Sequence, residues 1–168
     1  MIHAEATTSR YYCHSSLAAQ VLGFTGGDNQ GLFGLELYYN GYLSGKDGKY
    51  LTAKDAGGRD LPIGYAGYTP PTDGWNMVTT LDLYIQTQLE LALQNAAEDA
   101  GAENRVSGIV MDVETGAILA MATLPSYDLN DPYTLDAASE EKLAAFEKGS
   151  EEYQKAKHDL LYTMWNNK

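Results

Sequence analysis

The stretch Val106-Ser107-Gly108-Ile109-Val110-Met111-Asp112-Val113-Glu114-Thr115-Gly116-Ala117-Ile118-Leu119-Ala120-Met121-Ala122-Thr123-Leu124 decides the fold class. It holds two apolar runs, Val106 to Val113 and Ala117 to Leu124, parted by Glu114-Thr115-Gly116. Short apolar runs on either side of a Gly-bearing turn read as an antiparallel strand pair covered on at least one face. Just upstream, Asp82 stands where an N-cap belongs, ahead of a stripe of Ile85, Leu89, Ala92/Leu93 and Ala96. Glu98-Asp99-Ala100-Gly101 closes that helix. A long amphipathic helix followed by a hairpin makes an α+β unit.

Toward the N-terminus, Trp75 to Leu81 is rich in β-formers, and Pro70-Pro71-Thr72-Asp73-Gly74 reads as a stiff turn. Tyr50-Leu51-Thr52-Ala53 reads as a strand, Gly57-Gly58 as its hairpin turn and Arg59 to Ile63 as the return. Leu32, Leu35, Tyr38/Tyr39 and Tyr42/Leu43 predict a helix over 32–43, ended by Gly45. Thr25 to Gly31 is turn chemistry throughout. Ser15/Ser16 cap a short helix carrying Leu17, Ala18, Val21 and Leu22 and stopped by Gly23; residues 2–6 alternate weakly as a strand. Beyond Pro125, residues 131–152 hold seven acidic residues against two lysines, the pattern of one or two solvated helices. Trp165-Asn166-Asn167-Lys168 carries neither cap nor turn and reads as a cut end.

With 168 residues and 44% hydrophobic content, the chain can bury a real core and is too apolar for a disordered tail. Lys+Arg 11 against Asp+Glu 23 leaves a net charge of −12. That excludes nucleic acid as a partner, because phosphate neutralisation needs clustered Lys and Arg. The longest apolar run, Ala117 to Ala122, falls far short of the ~20 residues of a membrane helix. Residues 1–9 show no basic start with an apolar h-region. A single cysteine, Cys13, excludes an internal disulfide and a Cys-based zinc cage.

Ser139-Glu140-Glu141-Lys142 matches the S-x-x-K spacing that sets a nucleophile and its base on one helix face. A Ser before two glutamates is also an ordinary capped helix start. Carboxylates around Lys142 hold it charged, the opposite of what a base requires, so the capping reading is the stronger. Gly41 to Lys46 is one residue short of a phosphate loop and lacks its Ser/Thr, so it reads as a helix end. Asp112 and Glu114 form a carboxylate pair only at a solvated hairpin tip. His3, His14 and His158 lack metal-ligand spacing, and adjacent Cys13-His14 suits neither a shared metal nor a nucleophile–base pair. No catalytic, cofactor-binding or metal-binding residue is assigned, and no cofactor is expected.

Three stretches together resemble a known family. The first is Arg10-Tyr11-Tyr12, then Leu17 to Gly26, Asp28 to Glu36 and Leu43 to Gly48. The second is Pro71-Thr72-Asp73-Gly74 leading to Thr80-Leu81-Asp82, Ile85-Gln86 and Leu89-Glu90. The third is Met111-Asp112, Thr115 to Ala122 and Pro125 to Asn130. In this order they are similar to class B penicillin-binding proteins, the D,D-transpeptidases of peptidoglycan synthesis, in their division and sporulation group. The resemblance implies a membrane anchor, an extracytoplasmic pedestal or dimerisation domain, and a transpeptidase domain. Residues 1–80 would be the C-terminal part of the pedestal and 81–168 the opening of the transpeptidase domain. Arg10, Gly23, Gly26, Gly31, Gly34, Glu36, Gly45, Asp82, Gln86, Glu90, Asp112, Gly116 and Asn130 would be structural motif residues. Where the family often has Pro-x-Gly after Arg-Tyr-Tyr, this chain has Cys13-His14-Ser15.

The family's catalytic Ser-x-x-Lys, Ser-x-Asn and Lys-Thr-Gly elements match no position here, and Ser139 is not at the nucleophile's place. The resemblance therefore implies an inactive scaffold segment on the extracytoplasmic face of the bacterial membrane. Its parent would act on peptidoglycan stem peptides, be acylated by β-lactams and work with a membrane glycosyltransferase partner. Strands 106–124 would expose an edge through which copies could self-associate. They would be covered by C-terminal helices, a second copy or neighbouring molecules. The alternatives are a small enzyme using Ser139/Lys142 or Asp112/Glu114, and a free-standing extracytoplasmic binding module with no enzymatic parent.

Overall fold

The structure, a computed structural model, describes residues 9–51, 67–102 and 105–166. It is an α+β chain with elements α1 (Ala19–Leu22), α2 (Gly34–Tyr38), α3 (Asn40–Leu43), β1 (Lys49–Leu51), β2 (Gly67–Thr69), α4 (Leu83–Ala100), β3 (Val106–Met111), β4 (Ile118–Leu124), α5 (Ala137–Leu143) and α6 (Glu151–Trp165). Two antiparallel strand pairs, β1–β2 and β3–β4, form separate sheets.

The helix–hairpin unit follows the sequence closely. The Asp82 carboxylate accepts from the Ile85 N–H and caps α4, while Gly101 ends it in the left-handed conformation at φ 58°. Strands β3 and β4 pair from Val106↔Leu124 to Val110↔Ala120, and the register skips Leu119. Alternate β3 residues, Val106, Gly108 and Val110, face inward. A Cβ on Gly108 would lie 2.9 Å from Leu89 Cδ1, so the glycine lets α4 settle onto the sheet. The inner side of α4 keeps part of the predicted stripe. Ile85, Leu89 and Leu93 are half-buried, but Ala92 and Ala96 are exposed and Gln86 is the deepest residue. Period counting sees only apolar residues and misses a polar side chain that has partners waiting.

The N-terminal segment is shorter in helix than its pattern predicts. No serine caps α1: its N-cap is Ala18 at φ 52°, and Ser15 lies in a turn at φ 32°. Gly23 stops α1 as expected, its N–H donating to the Ala19 carbonyl. The predicted helix over 32–43 breaks at Tyr39 into α2 and α3. The break lets Asn40 turn back, so that its Oδ1 accepts from the Gly31 N–H at 2.9 Å. Strand β1 pairs with Gly67–Thr69. The predicted turn at Gly57-Gly58, the return over Arg59–Ile63 and the strand over 2–6 lie outside the described residues. Residues 70–79 are an extended strap, neither turn nor strand, pinned by the Lys46–Thr72 bridge and by Trp75 N–H on the Tyr42 carbonyl.

The core joins the two ends of the chain. Ala19 and Phe24 pack with Tyr127, Leu129, Leu135, Leu143, Leu161 and Trp165. Phe24 stacks on Phe33 at 5.5 Å and meets Tyr127, Tyr133 and Trp165 edge-on. The region after residue 130 is therefore not wholly solvated: Asp136 caps α5, Ser150 caps α6, and α6 buries Leu161 and Trp165. These helices cover the aromatic core, not the hairpin, which is covered by α4 on one face. Its other face leaves Ile109 and Met111 exposed.

Candidate functional site

Of the residues singled out by the resemblance, Glu90 and Asn130 bond across from the later part of the chain to segment 10–36, while Asp112 and Gly116 lie apart at the hairpin tip and Gly45 lies beside Thr72. Arg10 and Glu36 form a two-pronged ion pair, Nε to Oε1 at 3.0 Å and Nη2 to Oε2 at 3.1 Å. The Tyr12 hydroxyl adds a longer bond of 3.5 Å to Glu36 Oε1, and burial followed by the Glu36 charge raises its pKa. Gly23 and Gly34 lie backbone to backbone: a Cβ on Gly23 would stand 1.9 Å from the Phe33 carbonyl oxygen. Gly26 and Gly31 close the turn bridged by Thr25 and Gly31, and Gly45 packs beside the Thr72 carbonyl.

Two side-chain carboxamides act as substitute strands. Gln86 Oε1 accepts from the Met121 N–H at 2.9 Å, and its Nε2 donates to the Met121 carbonyl at 3.0 Å. Asn130 does the same to Tyr12, with Oδ1 accepting at 2.9 Å and Nδ2 donating at 3.0 Å. Each meets both backbone polar groups of one residue, although Met121 also stands opposite Ile109 in the β3–β4 register. The outer edge of β4 is closed further by Thr80 Oγ1 on the Ile118 carbonyl and by Asp82 N–H on the Leu119 carbonyl. The exposed edge expected of the hairpin is thus occupied along β4 by the chain's own residues 80–86.

Segment 15–20 is held by a second set of bonds. Leu129 N–H donates to the Ser15 carbonyl, Ser126 Oγ to that of Ser16, Tyr127 hydroxyl to that of Ala19, and Gln20 Nε2 to that of Pro125. The Ala18 N–H donates to Glu90 Oε1 at 2.8 Å. Burial pushes the Tyr127 phenol well above its ordinary pKa, which suits a neutral hydroxyl donor.

The catalytic candidates read differently in place. Asp136, not Ser139, caps α5, and the Ser139 N–H donates to it at 2.9 Å. Ser139 and Lys142 border a cleft of about 460 Å³ with Arg105, Leu160 and Met164, but Lys142 is exposed to water. Asp112 ties the hairpin tip: its Oδ1 accepts from Glu114 N–H at 2.9 Å and its Oδ2 from the Thr115 hydroxyl at 2.8 Å. Gly116 completes the tip at φ 74°. Gly45 sits at φ 67° and Lys46 pairs with Thr72, so Gly41–Lys46 is a helix end and bridge. Cys13 is exposed, and His3 lies outside the described residues. No group of three His, Cys, Asp or Glu among the described residues can hold a metal ion. Among them, no helix is long and apolar enough to cross a membrane. Sequence reasoning missed Phe33, Tyr127 and Trp165 as joint residues; their rings carry no periodic signal.

The chain is similar to proteins of known kind. Residues 1–79 match the family described as Penicillin-binding Protein dimerisation domain. Stage V sporulation protein D of Bacillus subtilis is 36% identical over 80% of this chain and 21% of its own length. Peptidoglycan D,D-transpeptidase FtsI of Escherichia coli is 34% identical over 77% of this chain and 22% of its own. Penicillin Binding Protein 2X from Streptococcus thermophilus superposes with a TM-score of 0.55 at 33% identity, covering 73% of this chain and 19% of that one. The Helicobacter pylori PBP2 in complex with MreC superposes at 0.57 and 25% identity, covering 85% and 27%. Residues 1–79 thus match a penicillin-binding protein dimerisation domain, and the relatives that align with most of this chain are penicillin-binding proteins and peptidoglycan D,D-transpeptidases. It spans about a fifth of the length of the curated relatives it matches.

Proposed function

We propose that this chain is the non-catalytic joint of a peptidoglycan-synthesising penicillin-binding protein. In this reading residues 1–80 are the C-terminal part of the pedestal and 81–168 open the transpeptidase domain, on the extracytoplasmic face of the membrane. The observation that carries it is the shared core: Phe24 of the first part is buried against Tyr127 and Trp165 of the second. A pedestal that holds a catalytic domain at a fixed attitude needs such an interface, because loosely joined domains swing. The thirteen motif residues from Arg10 to Asn130 act as its framework, not as reacting groups. The parent would cross-link stem peptides and be acylated by β-lactams; relatives are named for the transpeptidase activity, and one, the Mycobacterium tuberculosis PBP3, is solved with aztreonam. Partnering follows the same line: the Helicobacter relative is seen with MreC, and a membrane glycosyltransferase is the further partner expected here. The outer edge of β3, opposite β4 and unpaired among the described residues, would receive further strands of the sheet or a second copy.

Labelling with a fluorescent penicillin tests the reading. The account predicts that the 168-residue chain takes up no label. Covalent labelling that disappears in Ser139→Ala would overturn it in favour of an independent enzyme.

A further inference from the structure

The carboxylate of Glu90 is the meeting point of two hydrogen-bonded sites. Its Oε1 accepts from the Ala18 N–H at 2.8 Å and from Gln86 Nε2 at 2.7 Å. That same Gln86 closes on both backbone groups of Met121 in β4. Gln86 is 1% exposed and Ala18 4% exposed. Water therefore cannot replace a lost partner at either end, and a buried donor left unpaired is costly. Ala18 is also held at φ 52°, a left-handed conformation that an alanine does not adopt unaided. One oxygen atom thus secures a strained turn of the N-terminal segment and, through Gln86, the outer edge of the hairpin.

We propose that Glu90 is a positioning residue that couples these sites, so that the turn at Ala18 and the edge at Met121 open together. The inference goes beyond the scaffold reading and does not rest on it. A movement of segment 15–20, whatever its cause, is transmitted to Met121 in β4 through Glu90 and Gln86, beside the bonds that tie the same segment to residues 125–129. Coupling between sites is reciprocal, so a disturbance at the Gln86 end is felt at Ala18.

Hydrogen exchange resolved to the Ala18 and Met121 amides tests this in the whole chain. Glu90→Leu removes the shared acceptor and is expected to speed exchange tenfold or more at both amides. Glu90→Gln keeps an oxygen in place for both donors and restores protection at both. Gln86→Met, which leaves Glu90 intact, is expected to loosen Ala18 as well as Met121. The proposal is overturned if Glu90→Leu frees Ala18 while Met121 keeps its protection, or if Glu90→Gln behaves like Glu90→Leu. Should Glu90→Leu fail to fold, Gln86→Met decides alone: unchanged protection at Ala18 sinks the coupling.

Discussion

At the scale of single residues, the joint depends on backbone approach more than on side-chain bulk. Gly23→Ala would drive a methyl to 1.9 Å from the Phe33 carbonyl at a residue already at φ 72°. The expected outcome in a denaturant titration is a loss of several kcal/mol, of the order of ~3 or more, since both strain and overpacking act. Gly116→Ala carries similar φ strain but meets nothing within 4 Å, so about 1–2 kcal/mol is expected from conformation alone. Equal costs at the two positions would contradict this reading. Asp112 supplies a pH test. Its carboxyl pKa is lowered first by the Glu114 N–H and then by the Thr115 hydroxyl. A depressed folded-state pKa stabilises the native state above the unfolded value of ~3.9 and loses that contribution as pH falls through the folded value. An NMR titration should place the Asp112 midpoint below the ordinary carboxylate range, and Thr115→Val should move it upward. The Asp112 turn and the Gly23 stop are local and were legible in the sequence. The depth of Gln86 was not, because its partner Met121 lies in another element.

At the scale of elements, the hairpin has one finished edge and one open face. Residues 80–86 close β4, while Ile109 and Met111 stand more than half exposed on β3. Exposed apolar strand surface is a site of association. Ile109→Lys is expected to change stability by no more than about 0.5 kcal/mol, as for a surface position, and to reduce self-association in sedimentation velocity. A large loss of stability would mean that Ile109 is packed within the chain. Helix α4 and the strand pair β3–β4 were legible because cap, period and turn chemistry agree over residues 82–124. The segment 32–43 was not, because its apolar period runs through Tyr39 unbroken while the Asn40–Gly31 hydrogen bond, a tertiary matter, bends the chain there.

At the scale of the whole molecule, the segments around Ala19–Phe33 and Tyr127–Trp165 share one core. The aromatic core brings Phe24 and Phe33 onto Tyr127, Tyr133 and Trp165. Nothing local announces that contact: the acidic stretch before α6 reads as solvated, and the pairing of rings so distant in sequence is set by the fold. The family resemblance, carried by glycines, caps and carboxamides, was legible, since those residues mark backbone constraints that sequence records directly. The measurement that tests the central claim most directly is the unfolding of Phe24→Ala in a Trp75→Phe background, which leaves Trp165 as the one indole, followed at once by Trp165 emission and by hydrogen exchange in β4. The account predicts a loss of about 3–5 kcal/mol and a single shifted transition in which the indole and the hairpin amides become exposed together. Exposure of Trp165 in an early step, with the β4 amides still protected to the original midpoint, would contradict it and show two pieces that fold apart.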